Sequence, residues 1–272
     1  MVESAVVAAL CRSRRPMVIV AHPDDEVIGA GALLGRLAGP VVVHVTDGAP
    51  RDLVDARSAG FDSAAGYAAA RRREAARALA LLPSKPGPTV ELGVPDQEAS
   101  RSLAGLAGRI ADLLGRERPD VVLTHAYEAG HPDHDAVAFA VHAAVRLLAG
   151  SVTTPPALHE VTGYHAGDGA LVVGRFLAES AARAAVVRLT GAERERKRRM
   201  LGCFVTQVRT LEPFVHRLRF ERVRSAPAYR YSAAPHHGRL WYEHFGWGGL
   251  TGEEWRALAA AGLRELGLEE PL

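Results

Sequence analysis

The sequence predicts an α/β protein: a Rossmann-like, mostly parallel sheet with helices on both faces, passing into a less regular C-terminal part. Short apolar, β-branched runs recur through the first half, and segments with helical apolar spacing separate them. Two clusters of histidine and carboxylate residues follow directly on two of those runs, at the position where open parallel sheets bind ligands.

Pro16 to Ala21 is apolar throughout, as a strand buried on both faces requires. Val27 to Leu37 has helical spacing and stops at Gly39-Pro40. Val41 to Val45 predicts a second buried strand, Tyr67 to Leu82 an Ala- and Arg-rich helix, and Thr89 to Leu92 a third strand. Leu103 to Leu114 predicts a helix, Val121 to Thr124 a strand ending at His125, and Asp135 to Leu148 another helix. Beyond Gly150 the pattern loosens. Ala157 to Val161 and Leu171 to Phe176 are candidate strands, Glu193 to Phe204 a candidate helix, and Trp241 to Gly249 an aromatic, Gly-rich loop. No linker interrupts the chain, so one domain is expected over 1–272, regular over about 16–150 and irregular over about 151–272.

The 272 residues carry 33 Lys and Arg against 31 Asp and Glu, a net charge of +2 that gives no bulk electrostatic reason to expect nucleic acid. The two cysteines, Cys11 and Cys203, are too few for a disulfide scaffold. The apolar start up to Leu10 is short, preceded by an acid and followed by Arg12, Arg14 and Arg15, the wrong order for a signal peptide. With no apolar run able to span a bilayer, a cytoplasmic protein without a membrane partner is expected.

The first chemical cluster is His22-Pro23-Asp24-Asp25-Glu26. Three consecutive acids at a buried strand end repel one another and call for a compensating cation. The second is His131-Pro132-Asp133-His134-Asp135, in which Pro132 suits the first position of a helix and places His131 near its cap. A single His-Pro-Asp is ordinarily a capped turn. Two of them, each at a strand end, offer imidazole and carboxylate donors to one divalent ion, with groups to spare for acid–base work.

These residues resemble the PIG-L/LmbE-like superfamily of metal-dependent N-deacetylases. The resemblance runs through Ala21 to Glu26, Val45-Thr46-Asp47-Gly48, Arg71 and Glu74, Leu92 to Asp96, and His131 to His134. It implies a zinc-dependent hydrolase, with Fe²⁺ as another candidate ion, that removes acetyl from an N-acetylated amino sugar or glycoside. By position it makes His22, Asp25 and His134 the metal ligands and Asp24 the general base. His131 becomes the group that stabilises the oxyanion or protonates the leaving amine, Asp133 its orienting partner, and Arg71 and Asp96 the sugar contacts. Gln97 departs from the glycine of many relatives. An amidase acting on a thiol conjugate and a non-catalytic metal-stabilised binding protein are the competing readings. The expected partner is a small molecule, with self-association into a homo-oligomer left open.

Other residues receive plainer readings. Gly29, Gly31 and Gly35 suit close helix–sheet packing better than a dinucleotide fingerprint, because acids stand where a pyrophosphate would lie. Arg194 to Arg199, interleaved with Glu193 and Glu195, predicts a solvated helix face. His44 is expected to pack within its strand, His125 to pack or to support the second cluster, and Cys203 to be a small buried hydrophobe. The aromatic loop with His236, His237 and His244 is as compatible with core packing as with a substrate-facing role, and segments 49–66 and 208–250 are expected to rim the pocket.

Overall fold

In the computed structural model, which describes residues 4–149, 154–177 and 184–272, the predicted strands line up side by side. The main sheet has the spatial order β3 (Thr89–Val94), β2 (Val41–Thr46), β1 (Pro16–Val20), β4 (Val121–His125), β5 (Ala157–Val161), β9 (Phe220–Ser225) and β8 (Ala185–Arg188). The first five strands run parallel, and β9 and β8 are antiparallel additions. From β1 the chain moves outward through β2 to β3, then returns to the other side of β1 as β4. That reversal opens a crevice beyond the carboxyl ends of β1 and β4, where both His-Pro-Asp clusters lie.

Alternation along β1 explains the layers. Val18 and Val20 join one core with α1 (Ala5–Arg12), α2 (Asp25–Leu34), α4 (Ala64–Leu79), α7 (Gly191–Leu201) and α8 (Val208–Val215). Met17 and Ile19 join the other with α5 (Leu103–Glu117), α6 (Pro132–Leu148) and α9 (Gly252–Leu266). Both faces are covered, so every β1 residue is buried. A short α3 (Val54–Ser58) lies on the way from β2 to α4.

Several boundaries differ from the sequence reading, each for a local reason. Helix α2 starts two residues early and breaks at Ala30 (φ −139°, ψ 18°). Helix α4 starts three residues early because Ser63 accepts from the Gly66 N–H as an N-cap. The stretch read as one strand over 171–176 instead forms a separate hairpin, β6 (Tyr164–Gly167) with β7 (Ala170–Val173). Its turn is Asp168-Gly169, both at positive φ, the geometry for which an Asp-Gly pair is suited. Strand β9 escaped notice because its buried residues include Glu221 and Arg224, which disguise it as a solvated segment.

The glycines of α2 are packing residues, as expected. A Cβ on Gly29 would come within 2.6 Å of Val161 on β5, and one on Gly31 within 3.2 Å of the Lys197 stem on α7. Among the described residues no helix is long and apolar enough to cross a membrane. Met1 to Glu3, at the start of the apolar stretch considered above, lie outside the described residues.

Candidate functional site

His22 continues β1 by two residues, and Pro23 holds it extended before the turn into α2. Asp24 occupies φ 154°, ψ −25°, a strained backbone position for a non-glycine residue, at the N-cap of α2. Asp25 is the first residue of that helix. Across the crevice, His131 caps α6, Pro132 is its first residue, and Asp133 and His134 lie in its first turn.

The three expected ligands converge. His22 Nδ1 lies 3.0 Å from Asp25 Oδ2, His134 Nε2 lies 3.2 Å from Asp25 Oδ1, and the two imidazole nitrogens are 3.3 Å apart. All three residues are buried. Donor atoms bound tetrahedrally at zinc-like distances of ~2.0–2.1 Å stand about 3.3 Å from one another. Two imidazole nitrogens and a carboxylate held at that mutual spacing suit one divalent cation, so the donor set fits the group. Further donors flank it: His131 groups with His22 and His134, and His125 with Asp25 and His134, while Asp96 and Asp133 gather at the other nitrogen of the His22 ring.

Neighbours orient the ligands. His22 Nε2 lies 3.1 Å from Asp96 Oδ1 and 3.4 Å from Asp133 Oδ2. Donation from Nε2–H to Asp96 leaves Nδ1 as a lone pair facing Asp25 and His134, the carboxylate–histidine arrangement common behind metal ligands. His125 stacks on His134 with centroids 4.1 Å apart and an interplanar angle of 10°. The Ala21 N–H donates to His125 Nε2 at 3.0 Å, which occupies that lone pair and makes His125 a supporting residue. His44 packs at 3.1 Å from Glu26 Oε2, as its strand position suggested.

The electrostatics divide the carboxylates. Burial acts to raise Asp25, but His134, His125 and His22 hold it well below the usual carboxylate range. Burial also works against Asp96, yet the His22 contact keeps it low. Asp24 goes the other way: burial, reinforced by Asp25 and Glu26 against the pull of Arg71, pushes it up to about 7. Adjacent residues thus differ in proton affinity, one a permanent anion and the other able to exchange a proton near neutrality.

Two expected contacts are made differently. The Asp133 carboxylate accepts from the Gln97 N–H at 2.6 Å and the Ala99 N–H at 3.0 Å, and its third neighbour is His22. It supports the His131 ring through its main chain: the Asp133 N–H donates to His131 Nδ1 at 3.1 Å. That bond places the proton of a neutral ring on Nε2. Burial first, then His22 and His134, holds His131 well below the usual histidine range, which favours a neutral ring with an Nε2 donor. Arg71, expected at the sugar, donates to Gly48 O at 2.8 Å, Pro23 O at 3.1 Å and Asp24 Oδ2 at 3.0 Å. It fixes the turn that presents Asp24 while also lining the cavity.

That cavity, about 150 Å³, is walled by the cluster, by Asp55, Thr210, Phe214 and Trp247 from the 49–66 and 208–250 segments expected to rim it, and by Tyr164 and Gln207, to which sequence reasoning gave no role. Trp247 packs on His131 with centroids 4.9 Å apart. Its loop has Gly246, Gly248 and Gly249 at positive φ and is tied down where Gly248 N–H donates to Gln97 Oε1 at 3.0 Å. Gln97 itself sits at φ 68°, which explains a preference for glycine there.

Comparisons with known proteins agree with this geometry. Residues 17–145 match the family model described as PIG-L, GlcNAc-PI de-N-acetylase. A 1D-myo-inositol 2-acetamido-2-deoxy-alpha-D-glucopyranoside deacetylase of Kineococcus radiotolerans is 32% identical over 178 residues, which cover 54% of this chain and 49% of that protein. The chain thus spans about half the length of that curated relative. Among solved structures, a deacetylase of the teicoplanin biosynthesis pathway superposes with a TM-score of 0.59 at 19% identity, covering 77% of this chain and 96% of that one. The N,N'-diacetylchitobiose deacetylase of Pyrococcus horikoshii gives 0.57 at 20% identity, covering 82% and 89%. At such identities the structures speak for the fold.

Proposed function

From the match of residues 17–145 to the PIG-L family model, we propose that the protein, acting as a single domain, is a zinc-dependent N-deacetylase of an N-acetylated amino sugar or glycoside. One observation carries the reading: the mutual spacing of 3.0, 3.2 and 3.3 Å among His22, Asp25 and His134. In it these three residues hold the ion, and Fe²⁺ is the other ion the donor set admits.

A bound divalent ion would polarise the acetyl carbonyl and acidify a water beside it. The remaining work belongs to side chains. Asp24, its carboxyl matched to neutral pH by burial, takes a proton from the attacking water at its carboxylate. His131 offers its Nε2–H to the oxygen on which negative charge develops. Asp96 and Asp133 hold His22 in the tautomer that directs Nδ1 at the ion. Arg71 pins the strained Asp24 turn, and Trp247 provides a flat apolar wall of the kind sugar rings pack on.

The test is acetate release from a panel of N-acetylglucosaminides by the purified protein, after chelation and after zinc or iron is restored. The reading expects release that disappears with the chelator and returns with a divalent ion. Release unaffected by complete metal removal would overturn it, as would no release from any member by metal-loaded protein.

A further inference from the structure

One corner of the cavity at the metal cluster is apolar, and it adjoins the ligands. Ile28, half-buried, lies one helical turn beyond Asp24 and Asp25 on α2. Tyr164 of β6 meets His134 edge-on with centroids 5.3 Å apart, and Phe214 of α8 meets Tyr164 at 5.8 Å. The bare backbone of Gly130 admits the tyrosine there, since a Cβ would come within 2.0 Å of the Tyr164 carbonyl oxygen. Every other wall residue is polar except Trp247, which packs on His131. Behind Ile28 and Phe214 a second space of about 30 Å³ opens, and Thr162, Gly163, Val173 and Gly174 form part of its far side. Polar groups on that side are already paired. Thr162 Oγ1 donates to Glu128 Oε1 at 2.8 Å, Gly163 N–H to Glu128 Oε2 at 3.2 Å, and Gly174 N–H to Gly163 O at 2.9 Å.

Resting on the deacetylase reading, we infer that Ile28 and Phe214 gate acyl length: they seat the methyl of an acetyl group beside the ion and shut a longer chain out of the space behind them. An acetyl methyl is bonded to the carbon that water attacks, so it lies next to the ligands, and it has no polar group to offer. The corner made by Ile28, Tyr164 and Phe214 is where such a group loses its water without stranding a polar partner. Asp55, Gln207 and Thr210, on the polar walls, suit sugar hydroxyls instead. Open space lies directly behind the two gating side chains. They, and not the main chain, therefore set the limit, and trimming either one joins the two spaces.

Substrates that differ only in acyl length decide the matter. Methyl glucosaminides carrying N-acetyl, N-propionyl or N-butyryl groups are offered to the zinc-loaded protein, and the freed amine is measured. The parent should lose about ten-fold or more in kcat/KM with each added methylene, the discrimination a fitted apolar pocket gives. Ile28→Ala should cut the acetyl-to-butyryl ratio by about ten-fold or more, and Phe214→Leu should cut it less. A merely structural role would lower all three substrates together and leave the ratio alone. Ile28→Ala is the milder change for folding, since Phe214 belongs to the buried core. Binding gives a second readout, because acetohydroxamate and butyrohydroxamate ligate zinc through the same two oxygens and differ only in chain. Calorimetric Kd values should favour acetohydroxamate in the parent and even out in Ile28→Ala. Equal Kd values in the parent, or an acetyl-to-butyryl ratio indifferent to both substitutions, would overturn the inference. If no substrate is hydrolysed, the deacetylase reading fails, and the hydroxamate Kd values still decide whether this wall selects by chain length.

Discussion

Lys197 Nζ lies 2.7 Å from Glu221 Oε1, and this pair, both members buried, closes the break in the helix that carries Asp25. The departure of Ala30 from helical geometry frees groups on either side of it. Glu221 accepts from Ala32 N–H at 2.8 Å and Leu33 N–H at 2.9 Å, while Lys197 donates to Ile28 O at 2.8 Å. An inserted ion pair thus does what the missing helical bonds would do. The basic run at 194–199 is therefore not wholly solvated as expected; its lysine points into the core.

Removing either partner leaves an uncompensated buried charge. Lys197→Met should destabilise the fold by about 3–5 kcal/mol, with a large fall in melting temperature. Because the helix break lies five residues from Asp25, the variant should also bind zinc more weakly at temperatures where it is still folded. Thermal melts and a zinc titration of the folded variant check both. A melting temperature within about 2 °C of the parent would contradict the structural assignment.

Substitutions at the two adjacent acids should separate proton transfer from metal binding. Asp24→Asn retains hydrogen-bonding capacity toward Arg71 and leaves the three ligands intact. It should keep its metal and lose on the order of 10²- to 10⁴-fold in turnover. His22→Ala should lose the metal itself. Metal content measured alongside kcat distinguishes them, and an Asp24→Asn enzyme with parental turnover would remove Asp24 from the role of base.

The convergence of the cluster was legible because its parts lie where strand pattern and helix start coincide. A strand buried on both faces is a continuous apolar run, and His-Pro-Asp after it marks the turn into a helix. That brought His22, Asp25, His131 and His134 to the same sheet edge before any coordinates. What escaped depends on pairing across long separations. Lys197 and Glu221 each look solvated alone, and only their contact across 24 positions makes them core residues. The Asp96 contact to His22 spans 74 positions, and the reach of Trp247 to His131 depends on glycines whose conformations no periodicity encodes. Asp133 was expected to orient His131, and the contact that does so runs through its N–H instead of its carboxylate, a choice that chain proximity alone does not make.

Acid should weaken one surface contact in a defined window. Glu193 completes a capping box with Thr190 and accepts from Arg36 Nε at 2.8 Å. Burial opposes its ionisation, but the Arg36 bond and the Thr190 donors lower it to about 2 from an ordinary 4.5. A depressed carboxyl contributes stability that is complete above about 4.5 and is lost as pH falls toward about 2. Glu193→Gln should therefore be less stable than the parent by about 1 kcal/mol at pH 7, with the gap narrowing from pH 4.5 downward. Denaturant melts at pH 7 and pH 3 test this, and an unchanged gap at pH 3 would refute it.

Trp247 should matter to substrate more than to stability. Its ring lies against His131 and stacks on Phe245 at 4.7 Å, and Phe245 is 56% exposed, so little core depends on the pair. Removing the indole opens the cavity beside His131 and deletes an apolar wall for the sugar. Trp247→Ala should raise KM by about ten-fold or more, as loss of a stacking face does, with a smaller fall in kcat from the loosened His131 ring. Trp247→Phe should recover much of the KM. Steady-state kinetics on one N-acetylglucosaminide, together with melting temperatures, separate the two effects. If Trp247→Ala lowered the melting temperature sharply and left KM unchanged, the tryptophan would be a structural residue of the 241–249 loop.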